Sequence, residues 1–230
     1  MEPSGDRPTD LIDLLDGALH DLREPATHLA AFTEQLAGGE AGHAPPRLLR
    51  ARDAASRIRG LVEALRPFVR LSRSPPVLER VDLQEALGEV RVRLSVLVEE
   101  TGTTLLHDPL PSTRTDRARL VLVLHELVSN AIRFRGPAPA SIHVSASAAE
   151  GGAHLVVADH GIGIEAEYLD RVFLPFERLH AREVYPGHGL GLPLCRHAVA
   201  SLGGRIWAEQ RHGGGTCVNV VLPTPKEART

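Results

Sequence analysis

Apolar or small residues recur at Leu11, Leu15, Ala18, Leu22, Pro25, Leu29, Phe32 and Leu36. This alternating 4-3 spacing predicts one long helix over residues 11–37 with a coiled-coil seam. The run GGEAGHAPP at 38–46 then breaks it with glycine and proline. A second seam follows at Leu48, Ala51, Ala55, Ile58, Val62, Leu65 and Val69. Two such helices joined by a short loop predict an antiparallel hairpin. A lone hairpin covers only one face of each helix, so pairing with a second copy into a homodimeric four-helix bundle is expected.

Residues 72–80, SRSPPVLER, have the composition of a linker. Beyond them the pattern alternates. A short strand is expected near Val81–Leu83, a helix over 83–100, a strand at Thr103–His107 and a helix over 116–135 carrying Leu120, Leu124, Leu127 and Ile132. Strands are expected at Ser141–Ser147 and Ala153–Ala158, a helix over 189–202, and closing strands at Arg205–Glu209 and Thr216–Leu222. The predicted fold class is α+β: a helical hairpin at 11–73, then an α/β sandwich at 79–224 with a mixed sheet and helices on one face.

Composition narrows the function. The 230 residues allow one large domain or two small ones, and 43% hydrophobic residues suffice for a core. A net charge of −3 argues against a nucleic-acid binder held by a basic surface. No apolar run reaches the roughly 18 residues of a membrane span, and the polar, acidic start MEPSGDRPTD does not read as a signal peptide. A cytoplasmic protein without membrane insertion is therefore expected. Cys195 and Cys217 are too few and too far apart for a disulfide framework or a paired-cysteine zinc site. Of 26 basic residues only Lys226 is a lysine, which excludes chemistry needing an internal lysine, including the P-loop and the protein-kinase fold.

Three strings carry candidate chemistry. Asp159-His160-Gly161-Ile162-Gly163 follows an apolar strand, and Gly187-His188-Gly189-Leu190-Gly191-Leu192 precedes a helix. Glycines let backbone approach phosphate, and a helix N-terminus offers N–H groups to anionic oxygens. Either string alone also fits a plain tight turn. Glu126 and Asn130 share a helix face at i and i+4, with Arg133 one turn on. Such a face can hold magnesium on phosphates, or can simply be solvated. His20 falls at the most exposed position of the first helix, beside Asp21, and Pro25 removes the N–H that would bond the Asp21 carbonyl. An exposed imidazole next to a carboxylate can act as a nucleophile.

Together the strings resemble the transmitter module of a sensor histidine kinase, of the bacteriophytochrome-type group. His20–Pro25 resembles the phosphoacceptor box, Glu126–Phe134 the asparagine box, Asp159–Gly163 and Gly187–Leu192 the two glycine boxes, Phe173–Phe176 the phenylalanine box and Gly213–Thr216 the last glycine-threonine turn. The resemblance spans about residues 11–223, with every box in order. It implies ATP and Mg2+ as cofactors. His20 would accept the γ-phosphoryl group with Asp21 as general base, and Asn130 would ligate magnesium with Glu126 as second ligand or polar support. Arg133 would contact phosphate and Phe134 would flank adenine. Asp159 would accept from the adenine amino group, and Thr216 would support adenine. Gly161, Gly163, Gly187, Gly189, Leu190 and Gly191 would shape the nucleotide loops. Residues 165–187 would be a lid rooted on Phe173 and Phe176. The implied partners are a response-regulator receiver domain, a second copy of the chain and a separate sensory protein.

Two positions depart from the family pattern. Glu24 replaces the usual threonine or asparagine, and His160 replaces the usual asparagine, with its side chain expected to point away and matter little. Two other readings compete: an ATPase or serine kinase of the same ATP-binding fold, in which Glu126 would activate water, and a degenerate kinase serving as an ATP-binding dimeric scaffold. The hairpin with His20 disfavours the first. Retention of His20, Asn130 and Asp159 disfavours the second.

Overall fold

A computed structural model describes Leu22, Ala26, Thr27, Leu29, Ala31 and residues 44–149, 152–181, 184–185 and 187–223. Most of the expected first helix lies outside the described residues. Helix α1, Ala44–Arg73, follows. The chain divides into two compact units, Met1–Pro67 and Phe68–Thr230. Along α1, Ala54, Leu61 and Phe68 are buried at seven-residue intervals. Two members of the expected seam, Val62 and Val69, stand 43% and 49% exposed in the single chain.

The second unit carries strands β1 (Glu79–Asp82), β2 (Thr104–His107), β3 (Ser112–Thr115), β4 (Ser141–Ala149), β5 (Gly152–Asp159), β6 (Arg205–Gln210) and β7 (Thr216–Pro223). Its helices are α2 (Leu83–Arg93), α3 (Ser95–Thr101), α4 (Arg117–Arg133) and α5 (Gly191–Ser201). The expected helix over 83–100 is two helices broken at Leu94, whose ψ of 8° leaves helical geometry. Strand β3 was not expected: STRT has no apolar run, yet it pairs antiparallel with β1 and buries Thr113 and Thr115.

The main sheet has the order β2-β4-β5-β7-β6. β2 and β4 are parallel and the other pairs antiparallel, so the sheet is mixed as expected. Register sets the core. Val157 opposes Val144 and Val218, Leu155 opposes Val220, and Val220 opposes Ile206, all buried on one face. Period-two alternation forces this segregation once one face is covered. Helices α4 and α5 pack on the main sheet and bury Leu120, Leu124, Leu127 and Val128, and Leu194, Ala198 and Val199; α2 packs on α4 and on the β1–β3 pair and buries Leu83, Leu87 and Val90. Truncating any one of these leucines would cost about 2–5 kcal/mol.

Asp82 caps α2 through the N–H groups of Gln84 and Glu85. Asp116 caps α4 through Arg119 N at 2.9 Å and pairs with the Arg119 guanidinium at 2.6 Å, both side chains nearly fully buried. The same guanidinium donates to the Leu71 carbonyl at 3.3 Å, to the Ser74 carbonyl and to Ser201 Oγ at 3.0 Å. Asp116 also accepts from Val77 N at 2.9 Å. Part of the expected linker is therefore bound to the second unit: each nitrogen of this buried cation has an acceptor, as burial requires.

Candidate functional site: a cleft between two glycine loops and the α4 face

The central strand β5 ends at Asp159, where the chain turns through His160–Gly163. Asp159 Oδ1 accepts from Gly161 N at 2.7 Å and Thr216 N at 3.2 Å. Its second oxygen makes no hydrogen bond among the described residues. Burial pushes the Asp159 carboxyl above the usual carboxylate range, against the two N–H donors and the charges of Arg211 and His160. Only Thr115 Oγ1 and Asn219 Nδ2 are buried without a partner among the described residues, so this second oxygen is open to solvent and free to accept from a ligand.

The turn before β7 closes over the same loop. Gly215 has φ +91° and packs so tightly that a Cβ there would lie 2.1 Å from the Asp159 carbonyl oxygen. The backbone of Gly215 also lies against Gly163. Thr216 is 6% exposed and presents its N–H to Asp159. On the other side, Phe134 O accepts from Ile162 N at 3.0 Å, which ties the end of α4 to the first glycine loop.

Glu126, Asn130 and Arg133 follow on the face of α4 toward the second glycine loop. Arg133 Nη1 donates to Asn130 Oδ1 at 3.4 Å. A Cβ on Gly191 would meet Glu126 Oε2 at 2.8 Å and Asn130 Nδ2 at 3.4 Å, and one on Gly187 would meet Arg133 Nη1 at 3.2 Å. The α5 N-terminus thus lies directly on the carboxylate and amide, with Leu190 buried beneath it. One carboxylate and one amide oxygen are hard donors suited to magnesium, which keeps waters and takes phosphate oxygens. No group of three metal-ligating His, Cys, Asp or Glu side chains occurs among the described residues, so an ion here would depend on such outside oxygens.

The segment between the loops is rooted as expected. Phe173 is buried, and Phe176 donates its N–H to Gly189 O at 3.0 Å. Phe176 has φ +64°, a strained backbone for a residue with a Cβ, held by that contact. Three residues escaped sequence reasoning. Arg178 donates to Gly187 O at 2.8 Å and Tyr185 O at 3.0 Å, bracing the second glycine loop. Tyr185 and His180 pack on Phe134, with ring centroids 5.1 Å and 6.2 Å away. Arg178 could have been suspected from its place two residues after Phe176; the ring contacts depend on folding alone. His20, Asp21, Glu24 and Pro25 lie outside the described residues.

This arrangement defines an ATP-binding domain of a known class: residues 115–226 match the histidine kinase-, DNA gyrase B- and HSP90-like ATPase family. Cyanobacterial phytochrome A of Nostoc sp. strain PCC 7120 is 30% identical over 210 residues, 90% of this chain and 28% of that protein. The catalytic domain of histidine kinase ThkA is 26% identical with a TM-score of 0.57, over 64% of this chain and 96% of that one. A further ThkA structure, in complex with response regulator TrrA, is 21% identical with a TM-score of 0.68, over 92% of this chain and 61% of that one, a likeness of fold. The chain belongs to the sensor histidine kinases, as a transmitter module. It spans a little over a quarter of the length of the first curated relatives it matches. No helix among the described residues is long and apolar enough to cross a membrane.

Proposed function

We propose that the chain autophosphorylates on His20 with ATP and passes the phosphoryl group to an aspartate of a response-regulator receiver domain. The observation that supports this reading is Asp159, half-buried with one oxygen bound to Gly161 N and Thr216 N and the other left to accept from a ligand, on a loop tied to the end of the helix that carries Glu126, Asn130 and Arg133. An adenine amino group supplies the missing donor. Phe134 flanks the base, the two glycine loops enclose the phosphates, and Arg133 offsets their charge. Asn130 and Glu126 would hold Mg2+, which when bound neutralises charge on the β- and γ-phosphates. His20 attacks the γ-phosphorus, Asp21 takes the imidazole proton and ADP leaves. The regulator aspartate then takes the phosphoryl group and His20 is regenerated.

The hairpin 11–73 and the ATP-binding domain 79–224 are the two working parts of this proposal, and the hairpin is homodimeric. Support for the dimer comes from Val62 and Val69, apolar seam positions left exposed in a single chain. The test is incubation with γ-labelled ATP and magnesium, then addition of a receiver domain. Acid-labile, base-stable label that moves to the receiver is expected. Stoichiometric hydrolysis with no labelled protein would favour the ATPase reading of Glu126 instead.

A further inference from the structure

We propose that Arg211 and His160 form a positioning pair that holds Asp159 and Thr216 in register for the nucleotide base, a role that rests on the adenine-nucleotide reading above. The β5–β7 ladder ends at Ala158 opposite Cys217. Asp159 and Thr216 lie one residue beyond it, where no strand pairing fixes their separation. Arg211 takes over there. Its Nη1 uses two protons on two acceptors of the first glycine loop, the Asp159 carbonyl at 3.2 Å and His160 Nδ1 at 2.9 Å. Its backbone closes the following turn, with Arg211 N donating to Gly215 O and Gly214 N donating to Arg211 O, each at 3.1 Å. One residue therefore grips the loop that presents Asp159 and the turn that presents Thr216 N.

The chemistry also fixes the state of His160. A guanidinium only donates, so Nδ1 must be the unprotonated nitrogen and a neutral ring carries its proton on Nε2. Protonating His160 removes the acceptor and sets two cations side by side. Asp159 at the end of β5 feels the charges of both members of the pair, and Cys217 on β7 feels that of Arg211. The expectation that His160 points away is half right: the ring is exposed, but it is the brace of Arg211.

The test titrates the full chain with ADP and magnesium by calorimetry, and follows the imidazole nitrogens by NMR. Arg211→Met and His160→Leu should each weaken ADP binding about five- to tenfold, the scale of one lost hydrogen bond to a charged group. His160→Asn keeps an acceptor and should restore binding to within about twofold. The NMR spectrum should show His160 protonated on Nε2, with its Nδ1 resonance shifted in Arg211→Met as the hydrogen bond to that nitrogen is lost. Unchanged ADP affinity in Arg211→Met, or an Nδ1-protonated His160 in the wild type, would overturn the pair. If the wild type binds no ADP, the nucleotide reading falls; the Nε2 tautomer and the shift of the Nδ1 resonance in Arg211→Met would still support the brace.

Discussion

Gly213 and Gly215 offer a paired perturbation of the nucleotide site. Both have φ +91°, so alanine at either meets the same backbone strain, about 1–2 kcal/mol. Their surroundings differ. A Cβ at Gly213 has nothing within 4 Å, whereas at Gly215 it would lie 2.1 Å from the Asp159 carbonyl oxygen and 2.8 Å from His160 Cα. Ordinary contact between carbon and oxygen is about 3.5 Å, so the turn must retreat by more than about 1 Å. The Thr216 N to Asp159 Oδ1 bond, already 3.2 Å, cannot survive that shift. Displacements of about 1 Å at a positioned site can cost on the order of 100-fold. Gly213→Ala should therefore lower the melting temperature by about 2–8 °C and leave ADP affinity within about twofold. Gly215→Ala should match that melting loss or exceed it, and weaken ADP by about 30- to 100-fold. Calorimetric titration and thermal denaturation of both variants provide the assay. Equal losses of ADP affinity in the two would refute the placement of Asp159 and Thr216 at the base.

Asp159→Asn should abolish ADP binding yet raise the stability of the nucleotide-free protein at neutral pH. The folded-state carboxyl titrates above its ordinary value, so its favourable contribution is present below that value and is lost as pH rises through the folded one. The stability gain should shrink as pH falls toward the ordinary carboxylate range; a gain independent of pH would contradict it. Arg119→Met should destabilise the fold by about 3–5 kcal/mol in urea, because Asp116 stays buried without its cation. Burial raises the Asp116 carboxyl, but the N–H groups of Arg119 and Val77 and the guanidinium more than offset this, so the net shift is downward. The stabilisation it gives is present above the ordinary value and is lost as pH falls through the folded one; a cost under about 1 kcal/mol would contradict the node. Light scattering should give about twice the 24.8 kDa chain mass, and a monomer at micromolar concentration would remove the dimer.

What the sequence revealed follows from range of interaction. Helix α4 and strands β4, β5 and β7 were legible because their apolar periodicity is local and strong. The glycine loops were legible because close backbone approach admits little else, as at Gly191 against Glu126 and Gly215 against Asp159. Strand β3 was hidden because Thr113 and Thr115 are buried polar residues with no periodic apolar signal. The break at Leu94 carries neither glycine nor proline. Arg211 and His160 lie 51 residues apart, and only the pairing of β5 with β7 and β7 with β6 brings them together. The burial of Arg119 carries no sequence signal either, because its four acceptors come from Leu71, Ser74, Asp116 and Ser201, mostly far along the chain.

The central claim is transfer of a phosphoryl group from ATP to His20 by the cleft that Asn130 and Asp159 line. The most direct measurement is mass-spectrometric mapping of the phosphoryl group under alkaline conditions after incubation with ATP and magnesium. The account predicts phosphohistidine at His20 in the wild type, none in His20→Ala, and none in Asn130→Ala although its His20 is intact. Phosphoryl groups on serine or threonine, or phosphorylation that persists in His20→Ala, would contradict it.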